Sequence, residues 1–177
     1  PADRVSMPAA AGTPESVAPE CAADKESITR TPMTPIRKRI ARHLLAAKQN
    51  TAMLTTFNEI DMSHVMDIRN QYKDSFYKTY QIRLGFMSFF IKATVAALKE
   101  FPDMNASIEG DDLIYHHYYH IGIAIGAEKG LVVPVIRHAD KKSFAELEGA
   151  IMEFVDKIKT NKLALKDLEG GTFSITN

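Results

Sequence analysis

The chain has 177 residues, 45% of them hydrophobic, and its 22 basic side chains balance 22 acidic ones. That length is enough for one ordinary globular domain with a sizeable core and a tail. The zero formal charge argues against a general binder of nucleic acid or membrane surfaces, and no apolar run approaches the roughly 20 residues that span a bilayer. The single cysteine, Cys21, cannot form an intrachain disulfide and fits a reducing compartment.

Residues 1–29 have a composition of their own, rich in Ala, Ser, Glu and Pro with almost no large apolar side chains. Such a segment cannot bury enough surface to offset the entropy of ordering it, so we predict a flexible linker. Residues 30–177 then carry the folded domain. Because a linker normally joins two domains and the chain starts at Pro1 rather than at a methionine, we expect a further domain upstream.

The folded part begins with a helix signal, Thr34 at the N-cap and Pro35 at the first helical position. Apolar residues then recur at helical spacing, and basic residues occupy the other face. The apolar residues are Ile36, Ile40, Leu44 and Ala47, and the basic ones are Arg37, Lys38, Arg42 and Lys48. Residues 53–61, rich in Thr and Phe without helical period, predict a strand. A second amphipathic helix follows, with Val65, Ile68, Tyr72 and Phe76 on one side.

Residues 87–101 are apolar almost all round, which is typical of a centrally buried helix, and Pro102 ends it. Its thin polar stripe consists of Ser88, Lys92 and Lys99. Strands are predicted at 105–109, 113–115, 119–127 and 131–136, with a Gly-Asp-Asp turn between the first two. Large and small residues alternate over residues 121–126, so one face packs a core and the other admits a close approach to the backbone.

Ser143 and Glu146 form a capping box that opens a further helix. Its apolar residues share one face: Phe144, Leu147, Ile151, Phe154, Val155 and Ile158. A Gly170–Gly171 turn then enters a strand in which the chain ends. Domains rarely end on an unpaired strand edge, so we interpret the sequence as truncated. The pattern predicts an α+β fold with helices covering a mixed sheet.

The histidines His116, His117 and His120 are the obvious candidates for a metal site. In a strand, His116 and His120 would lie about 13 Å apart at ~3.3 Å per residue. Three zinc ligands at about 2.1 Å cannot come from that geometry, and the neighbouring tyrosines favour a strand over a helix. We therefore predict residues on the sheet surface and no metal site.

The basic run Arg37, Lys38, Arg39 and Arg42 is either a solvated helix face or, at the start of a helix, a site for a phosphate-bearing ligand. His138 and Asp140 are interpreted as loop residues rather than a catalytic pair, and Cys21 has no partner base. The hydroxyl of Thr176 follows a Gly-Gly turn, where it could donate to a developing oxyanion or serve as an ordinary strand residue. From the residues alone these alternatives stay open.

Several stretches resemble, in order, the catalytic domain of the 2-oxo acid dehydrogenase acyltransferases, from about residue 30 to the last. They are MTPIRKRIA (33–41), AMLTTFNEID (52–61), LGFMSF (84–89), Pro102 with NASI (105–108), GLVVPV (130–135) and GGTFSITN (170–177). The segment 52–59 is most similar to the succinyl-transferring members. The tail 1–29 resembles the linker that joins the subunit-binding and catalytic domains in such proteins.

The resemblance implies a chloramphenicol-acetyltransferase-like two-layer fold, here incomplete at its C-terminus, in trimers that assemble into a cubic core. It implies transfer of a succinyl group between a dihydrolipoyl thioester and coenzyme A, with the lipoyl group on a domain that this chain does not contain. The implied partners are the dehydrogenase components of the 2-oxoglutarate dehydrogenase complex. The implied compartment is the bacterial cytoplasm or the mitochondrial matrix.

By the same resemblance, Thr176 is the oxyanion-stabilising hydroxyl, and Arg37, Lys38 and Arg39 hold the phosphates of coenzyme A. The family's catalytic histidine and aspartate lie in an Asp-His-Arg-x-x-Asp-Gly signature, which no histidine here matches. We therefore expect this chain alone to be inactive. The alternatives are a truncated, inactive core or interaction protein of the family, and an acetyl or branched-chain acyltransferase.

Overall fold

A computed structural model describes residues 28–127 and 130–177, so Cys21 and nearly all of the predicted linker lie outside the described residues. The chain divides into two compact units, an N-terminal unit (Pro1–Phe57) and a C-terminal unit (Asn58–Asn177). None of the helices in the described ranges has both the length and the apolar character to cross a membrane.

The N-terminal unit contains helix α1 (Pro35–Asn50), which begins where the sequence predicts. The Thr34 hydroxyl accepts a hydrogen bond from the Arg37 N–H at 3.4 Å and satisfies one of the unpaired donors of the first turn. The apolar stripe is exposed: Ile36 and Leu44 each keep 66% of their accessible surface. The helix prediction is confirmed, and the apolar side chains of α1 are exposed.

The predicted strand at 53–61 is wrong for the described part of the chain, because residues 51–62 form neither helix nor strand. Leu54 is 90% exposed and Phe57 is 94% exposed. A strand exists only through hydrogen bonds to a neighbouring strand, and no strand of the described residues pairs with this segment. The Thr and Phe content indicates only a local preference for extended backbone, and a strand also requires a partner strand.

The C-terminal unit opens with α2 (Ser63–Tyr80), which confirms the second predicted helix. The Asp61 carboxylate receives hydrogen bonds from the Ser63 hydroxyl at 2.6 Å and the Ser63 N–H at 2.9 Å, and these bonds lower the pKa of Asp61. Val65, Ile68 and Phe76 are half-buried, but Tyr72 is exposed on the same helix.

Helix α3 (Met87–Glu100) buries one face rather than its whole circumference. Ile91, Val95 and Leu98 are buried, whereas the small side chains of Ala93, Ala96 and Ala97 are exposed. The predicted polar stripe is also partly wrong, because Ser88 is fully buried. The Ser88 hydroxyl donates to the Glu148 carboxylate at 2.5 Å, and that hydrogen bond is what permits a polar side chain at this position.

In the part of the chain that the structure describes, three small sheets follow α3. Strands β1 (Ala106–Glu109) and β2 (Asp112–Tyr115) form an antiparallel hairpin. Strands β4 (Ile125–Ala127) and β5 (Gly130–Val132) form a second antiparallel pair. The third sheet has β3 (Ile121–Ile123) at its centre, antiparallel to β6 (Val135–Ile136) and parallel to β7 (Phe173–Ile175). The predicted α+β fold with mixed sheets is confirmed.

Each of two predicted strands is interrupted. Between β3 and β4, the Ala124 N–H leaves the strand ladder and donates to the Ile175 carbonyl at 3.0 Å. Between β5 and β6 lies Pro134, which has no N–H to donate, and its carbonyl accepts from Ile123 at 2.9 Å. The two breaks let one stretch of chain serve two sheets.

Glycine in β3 meets a close approach, as the alternation of large and small residues predicts. A Cβ at Gly122 would lie 2.9 Å from the Ser174 hydroxyl oxygen and 3.0 Å from a Val133 methyl. Side chains of this chain therefore fill the space that the glycine leaves. At Gly126 nothing lies within 4 Å of such a Cβ, so the same expectation is not met there.

Helix α4 (Phe144–Lys159) starts with the predicted capping box. The Ser143 hydroxyl accepts from the Glu146 N–H at 3.3 Å, and the Glu146 carboxylate accepts from the Ser143 N–H at 2.7 Å. Helices α3 and α4 cover the β3-centred sheet with one apolar core. Its buried members are Ile91, Val95, Leu98, Ile121, Ile123, Ile136, Ala139, Leu147 and Phe154.

Candidate active site

Thr176 lies one residue beyond β7, on backbone that the C-terminal unit holds firmly. The carbonyl of Ile175, which belongs to the peptide bond leading into Thr176, accepts the Ala124 N–H at 3.0 Å. The Thr176 side chain itself is exposed and makes no hydrogen bond to a described residue. An available hydroxyl on fixed backbone is the arrangement that an oxyanion donor requires.

The Gly170–Gly171 turn that leads into β7 is packed against β6 and the residue after it. Gly170 has φ +78°, and a Cβ there would lie 3.2 Å from Nη1 of Arg137. A Cβ at Gly171 would lie 3.2 Å from a Val135 methyl. Arg137 Nη2 donates to the carbonyls of Lys166 and Glu169 at 3.1 and 2.9 Å. The turn needs glycine because its backbone adopts a left-handed conformation and touches its neighbours.

His120, which precedes β3, makes the closest set of contacts to the start of β7. Its carbonyl accepts the N–H groups of Thr172 at 2.8 Å and Phe173 at 3.3 Å. Its own N–H donates to the Thr172 hydroxyl at 3.3 Å. His120 keeps only 7% of its accessible surface, and its Nδ1 accepts the His138 N–H at 3.1 Å. Because a backbone N–H is always a donor, Nδ1 carries no proton in this arrangement, and the neutral ring holds its proton on Nε2.

Burial lowers the pKa of His120 below its ordinary value of 6.5. The hydrogen bond with the Tyr119 backbone opposes this shift, the charges of His138 and Arg137 reinforce it, and Asp140 opposes it. The net direction favours the neutral imidazole, in agreement with its role as an acceptor.

The predicted sheet-surface position of the three histidines is wrong, because His116, His117 and His120 all lie outside the strands and His120 is buried. Residues 116–120 form the connection between β2 and β3. The side-chain amide of buried Asn105 donates to the carbonyls of His116 and Tyr118 and fixes this bend. The alternation expected of a strand is therefore lost, and His120 turns inward while His117 stays exposed.

Across residues 28–127 and 130–177, no group of three or more His, Cys, Asp or Glu side chains is arranged to hold a metal ion. His138 lies in a loop as predicted, with a left-handed φ of 51°. Asp140 lies in the short 3₁₀ helix that follows (Ala139–Lys141), and its Oδ1 is buried without a hydrogen-bond partner among the described residues. No sequence pattern indicates the contact between His138 and His120, because it joins residues on separate elements.

Arg37, Lys38 and Arg39 occupy the first turns of α1 in the N-terminal unit, all exposed. Residues 35–50 contain no acidic side chain. A surface groove of about 620 Å³ lies along this helix. Its lining consists of Pro35, Arg39, Arg42, His43 and Ala46. The charge and the helix start suit an anion, and the assignment to coenzyme A phosphates stays a prediction.

Residues 25–177 match the family described as 2-oxoacid dehydrogenases acyltransferase (catalytic domain). The dihydrolipoyllysine-residue succinyltransferase component of the 2-oxoglutarate dehydrogenase complex from Rickettsia typhi is 55% identical over 154 residues, which are 87% of this chain and 39% of that protein. The same component from Escherichia coli K12 is 52% identical over 148 residues, 84% of this chain and 36% of that protein. The chain thus spans less than half the length of these relatives.

Solved structures agree with the fold. A probable dihydrolipoamide acetyltransferase from Listeria monocytogenes superposes with a TM-score of 0.77 at 39% identity, covering 85% of this chain and 64% of that one. The cubic core of the pyruvate dehydrogenase multienzyme complex superposes with a TM-score of 0.78 at 31% identity, covering 92% of this chain and 67% of that one. Helices α1–α4 and the small mixed sheets are thus the architecture of such catalytic cores.

Proposed function

The chain belongs to the 2-oxoacid dehydrogenase acyltransferase (catalytic domain) family, and we propose that it is part of an acyltransferase that moves succinyl groups between a dihydrolipoyl thioester and coenzyme A. The observation that carries the proposal is the exposed Thr176 hydroxyl on backbone fixed by Ala124, within a chain 51–55% identical to proteins named succinyltransferases. The identity to succinyltransferases also favours succinyl over acetyl or branched-chain groups.

In this proposal Thr176 donates a hydrogen bond to the oxygen of the tetrahedral intermediate that forms when a thiolate attacks the thioester carbonyl. The general base that removes the thiol proton is the histidine of the family signature, which is not among these 177 residues. Arg37, Lys38 and Arg39 contribute positive charge for the phosphates of coenzyme A. Lipoyl chemistry belongs to a separate domain.

The proposed partners are further copies of the chain, in trimers of a cubic core, and the dehydrogenase components of the 2-oxoglutarate dehydrogenase complex. Relatives named as components of that complex and a neighbour described as the cubic core of a related complex support this assembly. The bacterial cytoplasm or the mitochondrial matrix stays the predicted compartment.

A chimera tests the catalytic role of Thr176. The chain is joined after Asn177 to the corresponding C-terminal part of the Escherichia coli relative, and succinyl transfer from succinyl-coenzyme A to dihydrolipoamide is measured. We expect turnover from the chimera and none from the chain alone. Thr176→Ala should lower kcat by about 10²–10³-fold, the range for loss of one oxyanion donor, while Thr176→Ser retains most of it.

Turnover by the chain alone would contradict the expected inactivity, and an active Thr176→Ala chimera would remove the proposed role of the hydroxyl. A second candidate, an assembly role without catalysis, is favoured by the exposed apolar side chains of Ile36, Leu54 and Phe57. An inactive chimera together with co-assembly of this chain with the Escherichia coli relative, measured by sedimentation velocity, would favour that candidate.

A further inference from the structure

Residues before β3 and β7 form a compact network that the proposed chemistry does not itself use. We define the His120 clamp as His120, His138 and Thr172. It joins the loop before β3 to the loop after β6 and to the residue before β7 through hydrogen bonds at 2.8, 3.1 and 3.3 Å. These contacts link segments 18 and 52 residues apart in the chain.

We infer that His120 is a positioning residue: its neutral imidazole holds the loop at His138 while its backbone holds Thr172 and Phe173, and together these contacts set the path of β7 that presents Thr176. The link to catalysis rests on the proposed function of Thr176. The clamp itself rests only on the contacts of the C-terminal unit.

The imidazole and the backbone of His120 act together because they anchor the two strands that flank β3, one on each side. Ile121, the next residue, pairs with Ile136 of β6 on one side and with Phe173 of β7 on the other. The His138 N–H anchors the chain just after β6, and the His120 carbonyl anchors the chain at the entry to β7. A shift of His120 therefore moves the start of both neighbours.

Protonation of Nδ1 would replace this acceptor by a donor that faces the His138 N–H. The rings nearest the imidazole are those of Tyr118, at 4.5 Å, and His138, at 4.7 Å, centroid to centroid. Arg137 adds a positive charge, and Asp140 supplies the opposing negative one. From α3, the ammonium of Lys92 lies 3.5 Å from the Asp140 carbonyl rather than at the imidazole.

The pH dependence follows from the sign of the shift. The folded state keeps His120 neutral to lower pH than the unfolded chain does, so the contribution of the clamp to stability is fully present above about pH 6.5. It is lost as the pH falls below that value, because the unfolded chain takes up the proton first. Acid pH is thus expected to loosen the start of β7.

Two variants of His120 distinguish the role of the hydrogen-bond acceptor from the role of the aromatic ring. His120→Asn places an amide oxygen near the position of Nδ1 and does not titrate, whereas His120→Phe keeps a ring and loses the acceptor. The readout is the hydrogen-exchange protection factor of the Thr172 and Phe173 amides, by NMR on the 177-residue chain. The amide of Phe154 in α4 serves as the internal control for global opening.

Between about pH 7.5 and about pH 5, we expect protection at Thr172 and Phe173 to fall measurably in the parent chain, because the buried imidazole resists a proton that the opened chain takes up. His120→Asn should stay protected at both pH values, and His120→Phe should be unprotected at both, with Phe154 unchanged. Identical pH profiles for the parent chain and His120→Asn, or full protection in His120→Phe, would overturn the inference.

Thr172→Val keeps the strand even if His120→Phe does not fold, since it removes only the hydroxyl. Protection of the His120 amide should then fall about fivefold or more, as expected for loss of one hydrogen bond, while the Ala139 amide, bonded to the Tyr119 carbonyl, keeps its protection. If the protection of the His120 amide is unchanged in Thr172→Val, this variant alone contradicts the His120 clamp.

The succinyl-transfer chimera supplies the functional readout. His120→Phe should lower kcat about tenfold without changing KM for dihydrolipoamide, and His120→Asn should restore it, because the clamp positions Thr176 and does not bind substrate. If hydrogen exchange follows the expected pattern but Thr176→Ala does not lower the activity of the chimera, the His120 clamp is supported and the proposed function is contradicted. If the Thr176 variants behave as expected but hydrogen exchange is unaltered in His120→Phe, the proposed function is supported and the His120 clamp is contradicted.

Discussion

The two units of the chain treat their apolar side chains in opposite ways. In the C-terminal unit, Ile121 and Leu147 lose all of their accessible surface to the core beneath α3 and α4. In the N-terminal unit, Leu44 of α1 keeps 66% of its surface and Phe57 keeps 94%. Both units obey the same rules of helix start and apolar spacing, yet only one has a core within the described residues.

The difference shows what an apolar pattern specifies. Spacing at helical period says that a segment is a helix and which face seeks cover, since the pattern follows from 3.6 residues per turn. It does not say which surface provides that cover. The β3-centred sheet of the same chain covers the apolar face of α4. For α1, we propose that other copies of the chain in the assembly provide the cover.

The largest expected effect comes from a matched pair of leucines. Leu147→Ala should lower the free energy of unfolding by about 2–5 kcal/mol, because it removes a fully buried side chain from a packed core. Leu44→Ala, the same change on an exposed helix face, should cost less than about 0.5 kcal/mol. Urea unfolding followed by circular dichroism measures both.

A large cost for Leu44→Ala would break the comparison, and its dependence on protein concentration would then identify the cause. A cost that grows with concentration means that another copy covers α1, because association links folding to binding. A large cost independent of concentration means cover within one chain.

A second pair compares two glutamates on α4. The carboxylate of buried Glu148 accepts from the Ser88 hydroxyl at 2.5 Å and the Ser88 N–H at 3.2 Å, so it caps the first turn of α3 from a neighbouring helix. Gly85 makes room for it, since a Cβ there would lie 2.8 Å from a Glu148 oxygen. Glu153 instead makes an exposed ion pair with Lys157 at 2.7 Å.

Glu148→Ala should cost about 1.5–3 kcal/mol, because two donors of Ser88 lose a charged acceptor. Glu153→Ala should cost at most about 0.5 kcal/mol, as exposed pairs on one helix do. The measurement is thermal unfolding of both variants at neutral pH. Equal costs would mean that the buried carboxylate contributes no more than a surface ion pair.

Much of the fold could be predicted from local residues. The capping box at Ser143, the N-cap at Thr34 and the Gly-Asp-Asp turn between β1 and β2 each depend on neighbours within a few positions, so the sequence contains the whole interaction. The strand predicted at 53–61 failed for the opposite reason. Its formation depends on a partner strand, and pairing is not a local property.

The site was predicted less completely. The position of Thr176 beside a Gly-Gly turn was visible in the sequence, and its proposed role came from the resemblance. The buried state of His120 was not visible, because it depends on Asn105 bending the chain and on His138 approaching from another element. The burial of Ser88 is likewise not predictable from its neighbours, since its partner Glu148 lies 60 residues away.

The smallest expected effect compares the two N-caps. Ser143→Ala removes a cap from a helix that is packed on the core, and it should lower the free energy of unfolding by about 1 kcal/mol. Thr34→Ala removes the same kind of bond from α1, where the hydroxyl oxygen lies 3.4 Å from the Arg37 N–H and no described residue covers the helix. Because α1 belongs to the N-terminal unit and the core to the C-terminal unit, we expect Thr34→Ala to leave the main unfolding transition unchanged and to lower only the helical signal before it. A shift of that transition as large as the one from Ser143→Ala would mean that α1 and the core unfold as one cooperative unit.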